Sequence, residues 1–167
     1  MDWNLKDLYK SVDSKEINSD FTKLDLKSKK FNKKYRNRIS DSSSPKLIFE
    51  SLVEIEKIYE GLGKISSYAS LLFAADTNNE KYSKFYQNVS ERISDIRKNL
   101  IFYFLSWNKI SEKRAKEIYS SPALKKYSHL LKSERKYKNF MLTEPEEKIL
   151  DKKSITSSRA FNRLFDQ

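Results

Sequence analysis

The amino-acid sequence predicts an all-α protein in which a long antiparallel helical hairpin is accompanied by several shorter helices. Only two glycines and three prolines occur among the 167 residues, so few residues interrupt helices. No sustained alternation of apolar and polar residues, the pattern of half-buried strands, is present. Apolar residues instead recur every three or four positions, which is the spacing of amphipathic helices.

The first predicted helix begins at Asp13, which with Glu16 three residues later has the spacing of a capping box. Its apolar stripe is interrupted once, at Ser28. The stripe consists of Ile17, Phe21, Leu24, Phe31 and Tyr35. A polar linker, Asp41 to Pro45, follows and separates this helix from the hairpin.

The first helix of the hairpin has Ser44 as its predicted N-cap and Pro45 in its first turn. It extends to Ala75, a length of roughly 45 Å at the helical rise per residue. Its inner face consists of Ile48, Leu52, Ile55, Tyr59, Leu62, Ile65, Ala69 and Leu72.

The second helix of the hairpin follows a tight connection, where Thr77 and Glu80 have the spacing of a second capping box. A connection this short requires the two helices to be antiparallel. One continuous inner face is predicted for the second helix: Tyr82, Tyr86, Val89, Ile93, Ile96, Leu100, Phe104 and Trp107.

Two glycines lie inside the first hairpin helix, where each costs ~1 kcal/mol relative to alanine. With neighbouring small residues they form a strip that predicts a close backbone contact or a bend. The strip consists of Gly61, Gly63, Ser66, Ser67, Ala69 and Ser70. Beyond the hairpin, shorter helices are predicted after Ser111, from Ser121 to about Lys138, and after Thr143.

Composition excludes several classes of chemistry. No cysteine is present, which excludes disulfides, thiolate zinc sites and thiol catalysis. Met1 to Asn4 is not followed by an apolar run, so no signal peptide is expected. The longest apolar stretches, 71–75 and 100–105, are too short to span a membrane. We therefore expect a cytoplasmic protein without membrane partners.

The sequence offers no catalytic, cofactor-binding or metal-ligating residue. The one histidine, His129, has no second histidine at helical spacing, and we expect it to be a helix-surface or partly buried residue. Glu146 and Glu147 form an acidic pair, but they lie in the first turn of the helix capped by Thr143. Carboxylates in that position complement the helix dipole, which accounts for the pair without catalysis.

A basic stretch, Lys27 to Arg38, contains seven cations with Phe31 and Tyr35 between them. Such a mixture is compatible with binding of single-stranded nucleic acid. The two aromatic residues, however, are in phase with the apolar stripe, so we expect them in the core and the lysines in solvent. Only eight of the 34 cationic residues are arginines, so we interpret the net charge of +11 mostly as compositional background.

The last eleven residues predict one more amphipathic helix. Ala160, Phe161, Leu164 and Phe165 share one face at helical spacing, and no cap residue follows them. From this uncovered face we expect the chain to be a piece of a longer protein.

Three passages resemble the oligoendopeptidase F family of zinc metallopeptidases, which are related to thimet oligopeptidase. Asp2 to Tyr9 is similar to the Trp-Asp/Asn-Leu-x-x-Leu-Tyr start of these proteins, and Tyr68 to Thr77 is similar to a Tyr-Ala-x-Leu…Asp-Thr stretch. The third passage, 141–150 followed by 160–166, resembles their Glu-Lys-Ile-Leu…Ala-Trp/Phe-x-x-Leu-Phe-Asp segment. The passages occur in the same order in the family and span the chain.

The resemblance implies an N-terminal helical domain that forms one wall of a channel for short peptides. The family's zinc is held by a His-Glu-x-x-His helix and a distant glutamate in a C-terminal catalytic domain, and this chain contains no such motif. The resemblance therefore implies zinc and peptide hydrolysis for the full-length protein, whereas we expect residues 1–167 alone to be inactive. A free-standing helical module that binds a protein, or less probably nucleic acid through Lys27–Arg38, is the alternative.

Overall fold

The computed structural model describes residues 4–158 and 160–161, and within them it contains helices and turns but no strand, which confirms the predicted all-α fold. Seven α-helices are delimited among the described residues: α1 Lys15–Tyr35, α2 Pro45–Ala75, α3 Glu80–Arg97, α4 Phe102–Lys109, α5 Glu112–Tyr119, α6 Ser128–Lys136 and α7 Glu144–Thr156. Two 3₁₀ segments, Pro122–Tyr127 and Lys138–Phe140, precede and follow α6.

The first helix buries the predicted stripe, but the prediction of its start was wrong. Ser14, not Asp13, is the N-cap of α1, and the Ser14 hydroxyl accepts a hydrogen bond from the Ser11 amide at 3.0 Å. Asp13 instead forms an ion pair with Lys81 across the molecule at 2.5 Å. All five apolar residues of the stripe and Ser28 are buried.

The helical hairpin consists of α2 and α3, which pack against each other along their length. The prediction for the start of α2 is confirmed, because the Ser44 hydroxyl accepts a hydrogen bond from the Leu47 amide at 3.2 Å. At the start of α3 the predicted Thr77–Glu80 capping box was wrong. Asn79 is the N-cap, and its side-chain oxygen accepts from the amide of Lys81 at 3.0 Å.

One predicted inner-face residue of α2 is on the wrong side. Ile58 is buried, whereas Tyr59 is exposed and Leu72 is only partly buried. The reason is that α2 is covered from several directions, since it contacts α1, α3 and the 3₁₀ segment Pro122–Tyr127. A single helical stripe describes a helix with one buried face, and α2 has more than one.

The second hairpin helix does not continue to Trp107 as predicted. α3 ends at Arg97, a turn follows, and α4 begins at Phe102. On α4 the buried residues Phe102, Tyr103 and Trp107 do not share one helical face, so this short helix is covered on more than one side.

The small-residue strip was predicted to make a close backbone contact or a bend, and at Gly61 the close neighbour is a side chain. A Cβ atom at Gly61 would lie 2.6 Å from Cδ2 of Leu24, so the glycine allows α1 to approach α2. At Gly63 no atom lies within 4 Å of the corresponding position. The close neighbour is therefore the Leu24 side chain of α1, which approaches Gly61 and not Gly63.

The shorter helices after α4 enclose a second part of the core. Its fully buried residues are Trp107, Ile110, Ala115, Ile118, Leu124 and Leu131. The predicted cap of α7 is confirmed: the Glu146 carboxylate accepts from the Thr143 amide at 2.8 Å and from its hydroxyl at 2.6 Å. The predicted helix from Ser121 consists of a 3₁₀ segment followed by α6.

None of the described helices is long and apolar enough to cross a membrane. Of the predicted terminal helix, Ala160 and Phe161 are helical and Phe161 is exposed. Leu164 and Phe165, which complete that prediction, lie outside the described residues.

Candidate functional site

The structure places the histidine and the acidic pair that the sequence analysis considered on two different helices, α6 and α7. Within residues 4–158 and 160–161, no three His, Asp or Glu side chains are close enough to hold a metal ion. His129 lies on the exposed surface of α6, as the sequence predicts. Glu146 caps α7, and Glu147 accepts a hydrogen bond from the Leu142 amide at 3.0 Å, so both glutamates stabilise the start of that helix.

The basic stretch, Lys27 to Arg38, does not present its aromatic rings to solvent. Phe31 and Tyr35 are fully buried, which confirms that they continue the core stripe of α1. Phe31 packs on the ring of Tyr103 with centroids 5.6 Å apart, and the Tyr35 hydroxyl donates to Glu54 at 2.9 Å. Neither ring is available to stack on a nucleic-acid base, which is the main sequence-tolerant contact in single-strand binding.

Several cations of the basic stretch are engaged within the molecule. Lys29 pairs with Asp25 at 2.6 Å, and Lys34 pairs with Glu54. Arg36 lies over the ring of Phe102, 4.8 Å from its centroid, and its guanidinium reaches Glu144 at the start of α7. The stretch therefore serves in part to attach the C-terminal helix to α1.

The pair of Arg36 and Glu144 is bidentate. The two guanidinium nitrogens donate to the two carboxylate oxygens at 3.1 and 2.8 Å, and Lys148 also donates to Glu144 at 2.6 Å. The Arg36 hydrogen bonds lower the pKa of the Glu144 carboxyl to about 2, below its ordinary value of 4.5. Bidentate arginine–carboxylate pairs combine charge with fixed geometry, so this pair positions α7.

A second polar contact attaches the middle of α7 to α3. The Asp151 carboxylate accepts from the Ser94 hydroxyl at 2.7 Å and pairs with Arg97 at 3.2 Å. The Asp151 side chain is only 10% exposed. Together with the Arg36–Glu144 pair, these hydrogen bonds hold α7 against the body of the protein, although none of the thirteen residues of α7 is buried.

Replacing Glu144 with glutamine is expected to lower the free energy of unfolding by about 1 kcal/mol near neutral pH, a value reduced for partial solvent screening. Because the folded pKa is below the ordinary value, the stabilisation is present above about pH 4.5 and is lost as the pH falls towards about 2. Urea unfolding of both proteins at several pH values measures the difference.

The matched control is Glu147→Gln, which removes a charge from the same helical turn but no ion pair. We expect the free-energy difference between wild type and Glu144→Gln to shrink as the pH falls below about 4. A difference that stays constant down to pH 2 would contradict the assignment of the pair.

Arg135, in α6, links the elements on either side of it through buried hydrogen bonds. Its guanidinium donates to the backbone carbonyls of Trp107 at 3.1 Å and Ile110 at 3.0 Å, and to the Glu112 carboxylate at 2.6 Å. The Trp107 indole N–H in turn donates to the Leu131 carbonyl at 3.0 Å. These bonds fix α4, α5 and α6 relative to one another.

The surface at the C-terminal end of the chain is unusually apolar. Most of the exposed large hydrophobic side chains among the described residues lie between positions 137 and 161. We call this group the C-terminal apolar face; it consists of Tyr137, Phe140, Leu142, Ile149, Leu150 and Phe161. Exposed apolar side chains in this number make the segment a candidate interaction surface.

A groove of about 540 Å³ lies between α3 and α7, and Ile149 belongs to its lining. Ile155, Lys152 and Lys153 also line it from α7, and the polar residues Glu91, Ser94 and Asp95 line it from α3. The candidate functional site of this chain is therefore an interaction surface, formed by the C-terminal apolar face and the α3–α7 groove.

Sequence reasoning did not identify the residues that position this surface. Arg36 was counted among the cations of a basic stretch, and Glu144, Asp151 and Arg135 were not singled out. Arg36 and Glu144 are far apart in the chain, so only the fold brings them together. One signal was present: Arg36 is an arginine among lysines, and arginine is the residue suited to bidentate pairs.

The comparison with protein families matches residues 107–167 to the family described as Oligopeptidase F, an N-terminal region of M3 peptidases. The match confirms the resemblance seen in the third sequence passage, and it covers α5, α6, α7 and the C-terminal apolar face. The passages 2–9 and 68–77 lie outside the matched residues. No curated protein and no solved structure matches the chain significantly.

Proposed function

We propose that this chain is the N-terminal helical domain, residues 1–167, of a zinc-dependent oligoendopeptidase of the oligopeptidase F type. The observation that carries the proposal is the family match over residues 107–167. Under this proposal the protein is cytoplasmic and hydrolyses short peptides, and this domain forms a wall of the channel through which peptides reach the catalytic site.

The described side chains of this chain do not fit a zinc site. The only histidine, His129, is exposed on α6 without a neighbouring group of potential ligands, and the sequence contains no cysteine. The proposal therefore assigns zinc, and the water activation that zinc supplies, to residues outside this chain. The role assigned to residues 1–167 is to shape the channel and to contact the catalytic domain.

The structure offers a physical basis for a wall function. α2 and α3 form a long hairpin braced by α1, and Gly61 allows α1 to approach closely. A cluster of buried apolar residues from several helices packs around this hairpin. A rigid helical surface can exclude folded proteins from a channel while admitting extended peptides.

Two measurements test the proposal. The chain 1–167 is expected to cleave no quenched fluorescent peptide and to retain no zinc after dialysis. The complete reading frame is expected to encode a His-Glu-x-x-His helix, and its product is expected to cleave the same peptides until a chelator removes zinc.

Either of two results would overturn the proposal. Zinc-dependent cleavage by 1–167 alone would place the chemistry in this chain, and a complete reading frame without the zinc motif would remove the peptidase assignment. Salt-sensitive binding of a single-stranded oligonucleotide by wild type, reduced by charge reversal at Lys27 and Lys33, would instead favour the nucleic-acid alternative.

A further inference from the structure

We propose that a pocket next to the turn between α2 and α3 binds a phosphoryl group, either as inorganic phosphate or as part of a small phosphorylated molecule. We call it the N-terminal pocket. Its lining comes from positions 5–13, from Tyr68 and Leu72 of α2, and from Asn79, Lys81 and Tyr82 at the start of α3. The pocket lies outside the residues that match the family, so the inference goes beyond the peptidase assignment.

The N-terminal pocket has the size and the lining of a site for a small polar molecule. Its volume is about 390 Å³, which falls within the range of ~300–1,000 Å³ that small-molecule sites occupy. Polar and charged side chains make up most of its lining. Such walls suit a charged ligand, because an apolar ligand would leave these polar groups without partners.

Tyr68 brings an unpaired hydroxyl group to this pocket. The Tyr68 side chain is only 3% exposed, and its ring packs edge-on against Tyr9 with centroids 5.2 Å apart. Its hydroxyl forms no hydrogen bond with a described residue, and it is not fully enclosed by protein either. Since Tyr68 lines the pocket, the hydroxyl is open towards it. Buried polar groups are normally hydrogen-bonded, so a ligand in the pocket would supply the missing acceptor.

The Tyr68 hydroxyl is suited to donate to an oxyanion. Burial raises the pKa of this hydroxyl, and the charges of Tyr82 and Asp13 raise it further. The group therefore stays protonated near neutral pH. The Tyr82 hydroxyl also forms no hydrogen bond with a described residue. The pocket thus offers two phenol donors to a ligand oxygen.

The charged side chains that line the pocket have a net positive charge. Lys6, Lys10 and Lys81 line it, and among the described residues Asp13 is the one acidic member of the lining. Asp13 and Lys81 pair with each other at 2.5 Å, whereas Lys6 and Lys10 are exposed and form no ion pair with a described residue. Two unpaired lysines match a phosphate monoester, which carries a charge of about −1.5 to −2 at pH 7, better than they match a single carboxylate.

The charges around Tyr9 and at the start of α3 do not reverse this balance. The Tyr9 hydroxyl donates to Asp20 at 2.9 Å, and Asp20 pairs with Lys23 at 3.7 Å. Lys64 lies 4.4 Å from the centroid of the Tyr9 ring, and its positive charge offsets that of nearby Glu16. The N-terminus of α3 adds the partial positive charge of the helix dipole. The other acidic residues of these segments are exposed and are not part of the lining: Asp7, Asp76 and Glu80.

The test is isothermal titration calorimetry of the chain 1–167 at low salt in a buffer without phosphate. The probes are inorganic phosphate, ribose 5-phosphate, ribose and acetate. We expect both phosphate compounds to bind, and ribose and acetate to bind at least about tenfold more weakly. Equal affinity for the two phosphate compounds would identify the free ion as the ligand, and tighter binding of ribose 5-phosphate would identify a phosphorylated molecule. Both results support the inference.

Two variants test the residues that carry the inference. Tyr68→Phe keeps the buried ring and removes only the unpaired hydroxyl, so we expect the affinity for phosphate to fall about tenfold while the urea midpoint is unchanged. Lys6→Gln with Lys10→Gln is expected to weaken binding by at least about tenfold. The matched control is Lys152→Gln with Lys153→Gln, which removes two exposed lysines from α7 and should bind phosphate as the wild type does.

Four outcomes would overturn the inference. These are no binding of either phosphate compound, acetate binding as tight as phosphate binding, an unchanged affinity in Tyr68→Phe, and an equal loss of affinity in the α7 control. The last would show that phosphate is attracted only by the net charge of the chain. Circular dichroism of each variant verifies the fold. None of these measurements involves zinc or peptide cleavage, so failure here is distinguishable from failure of the peptidase proposal.

Discussion

Replacing Trp107 with alanine is expected to lower the free energy of unfolding by about 3–5 kcal/mol. Trp107 is among the largest fully buried side chains, and its indole N–H donates to the Leu131 carbonyl at 3.0 Å. The substitution creates a large cavity and also removes the donor from a buried carbonyl, and each effect is destabilising. Urea unfolding monitored by circular dichroism measures the change.

Two further variants separate the causes of this loss. Trp107→Phe retains most of the buried ring but cannot donate the hydrogen bond, so we expect a smaller loss of about 1–3 kcal/mol. Phe140→Ala removes an aromatic ring that is 78% exposed, and we expect a change below about 0.5 kcal/mol. A loss of less than about 1 kcal/mol for Trp107→Ala would contradict the buried position of Trp107.

Replacing Arg135 with methionine is expected to lower the free energy of unfolding by about 2–3 kcal/mol. Methionine retains an unbranched apolar stem, but the carbonyls of Trp107 and Ile110 lose a charged donor. The Ile110 carbonyl is then left buried without this partner, and that desolvation penalty dominates the change. The same urea unfolding experiment applies.

The control for Arg135→Met is Glu112→Gln. The Arg135 hydrogen bond lowers the pKa of the Glu112 carboxyl, but the Glu112 side chain is 76% exposed. Exposed ion pairs contribute little, so we expect Glu112→Gln to cost less than about 1 kcal/mol. Equal losses in the two variants would show that the ion pair, and not the bonds to the carbonyls, carries the stability.

Trp107 and Arg135 both lie in the region that matches the family, residues 107–167. Among the described residues of the matched region, all the buried ones lie between positions 107 and 135, where hydrogen bonds of Arg135 and Trp107 join the helices, and none lies in 137–158 or 160–161. We expect the first part to unfold with the domain core and the second to depend on polar contacts to α1 and α3. A surface that is already held in place by such contacts loses less conformational entropy on binding than a disordered segment would.

The helix pattern was predictable where a helix has a single buried face. The stripe of α1 was predicted correctly, and so was the start of α2 at Ser44 and Pro45, because caps and helical spacing are local properties. Tyr59 was placed on the wrong side because α2 is covered by several elements. The break after Arg97 was missed because no glycine or proline marks it in the sequence.

The N-caps of α1 and α3 also differ from those that the local sequence predicts. The sequence offered Asp13 and Thr77 as caps, but Ser14 and Asn79 are the N-caps. In both places a second polar residue stands nearby that can cap equally well, and the tertiary contacts choose between them. Asp13 is drawn to Lys81, an ion pair that exists only after α1 and α3 have packed.

The sequence by itself determined the fold class, the hairpin, the lack of thiol chemistry and the resemblance that the family match over residues 107–167 supports. These conclusions depend on composition, spacing and short motifs. Only the tertiary structure decided what the basic stretch and α7 do. Arg36 reaches Glu144, Asp151 reaches Ser94 and Arg97, and an apolar face is thereby turned outward. Such contacts join residues far apart in the chain, and long-range pairing is set by how whole helices pack.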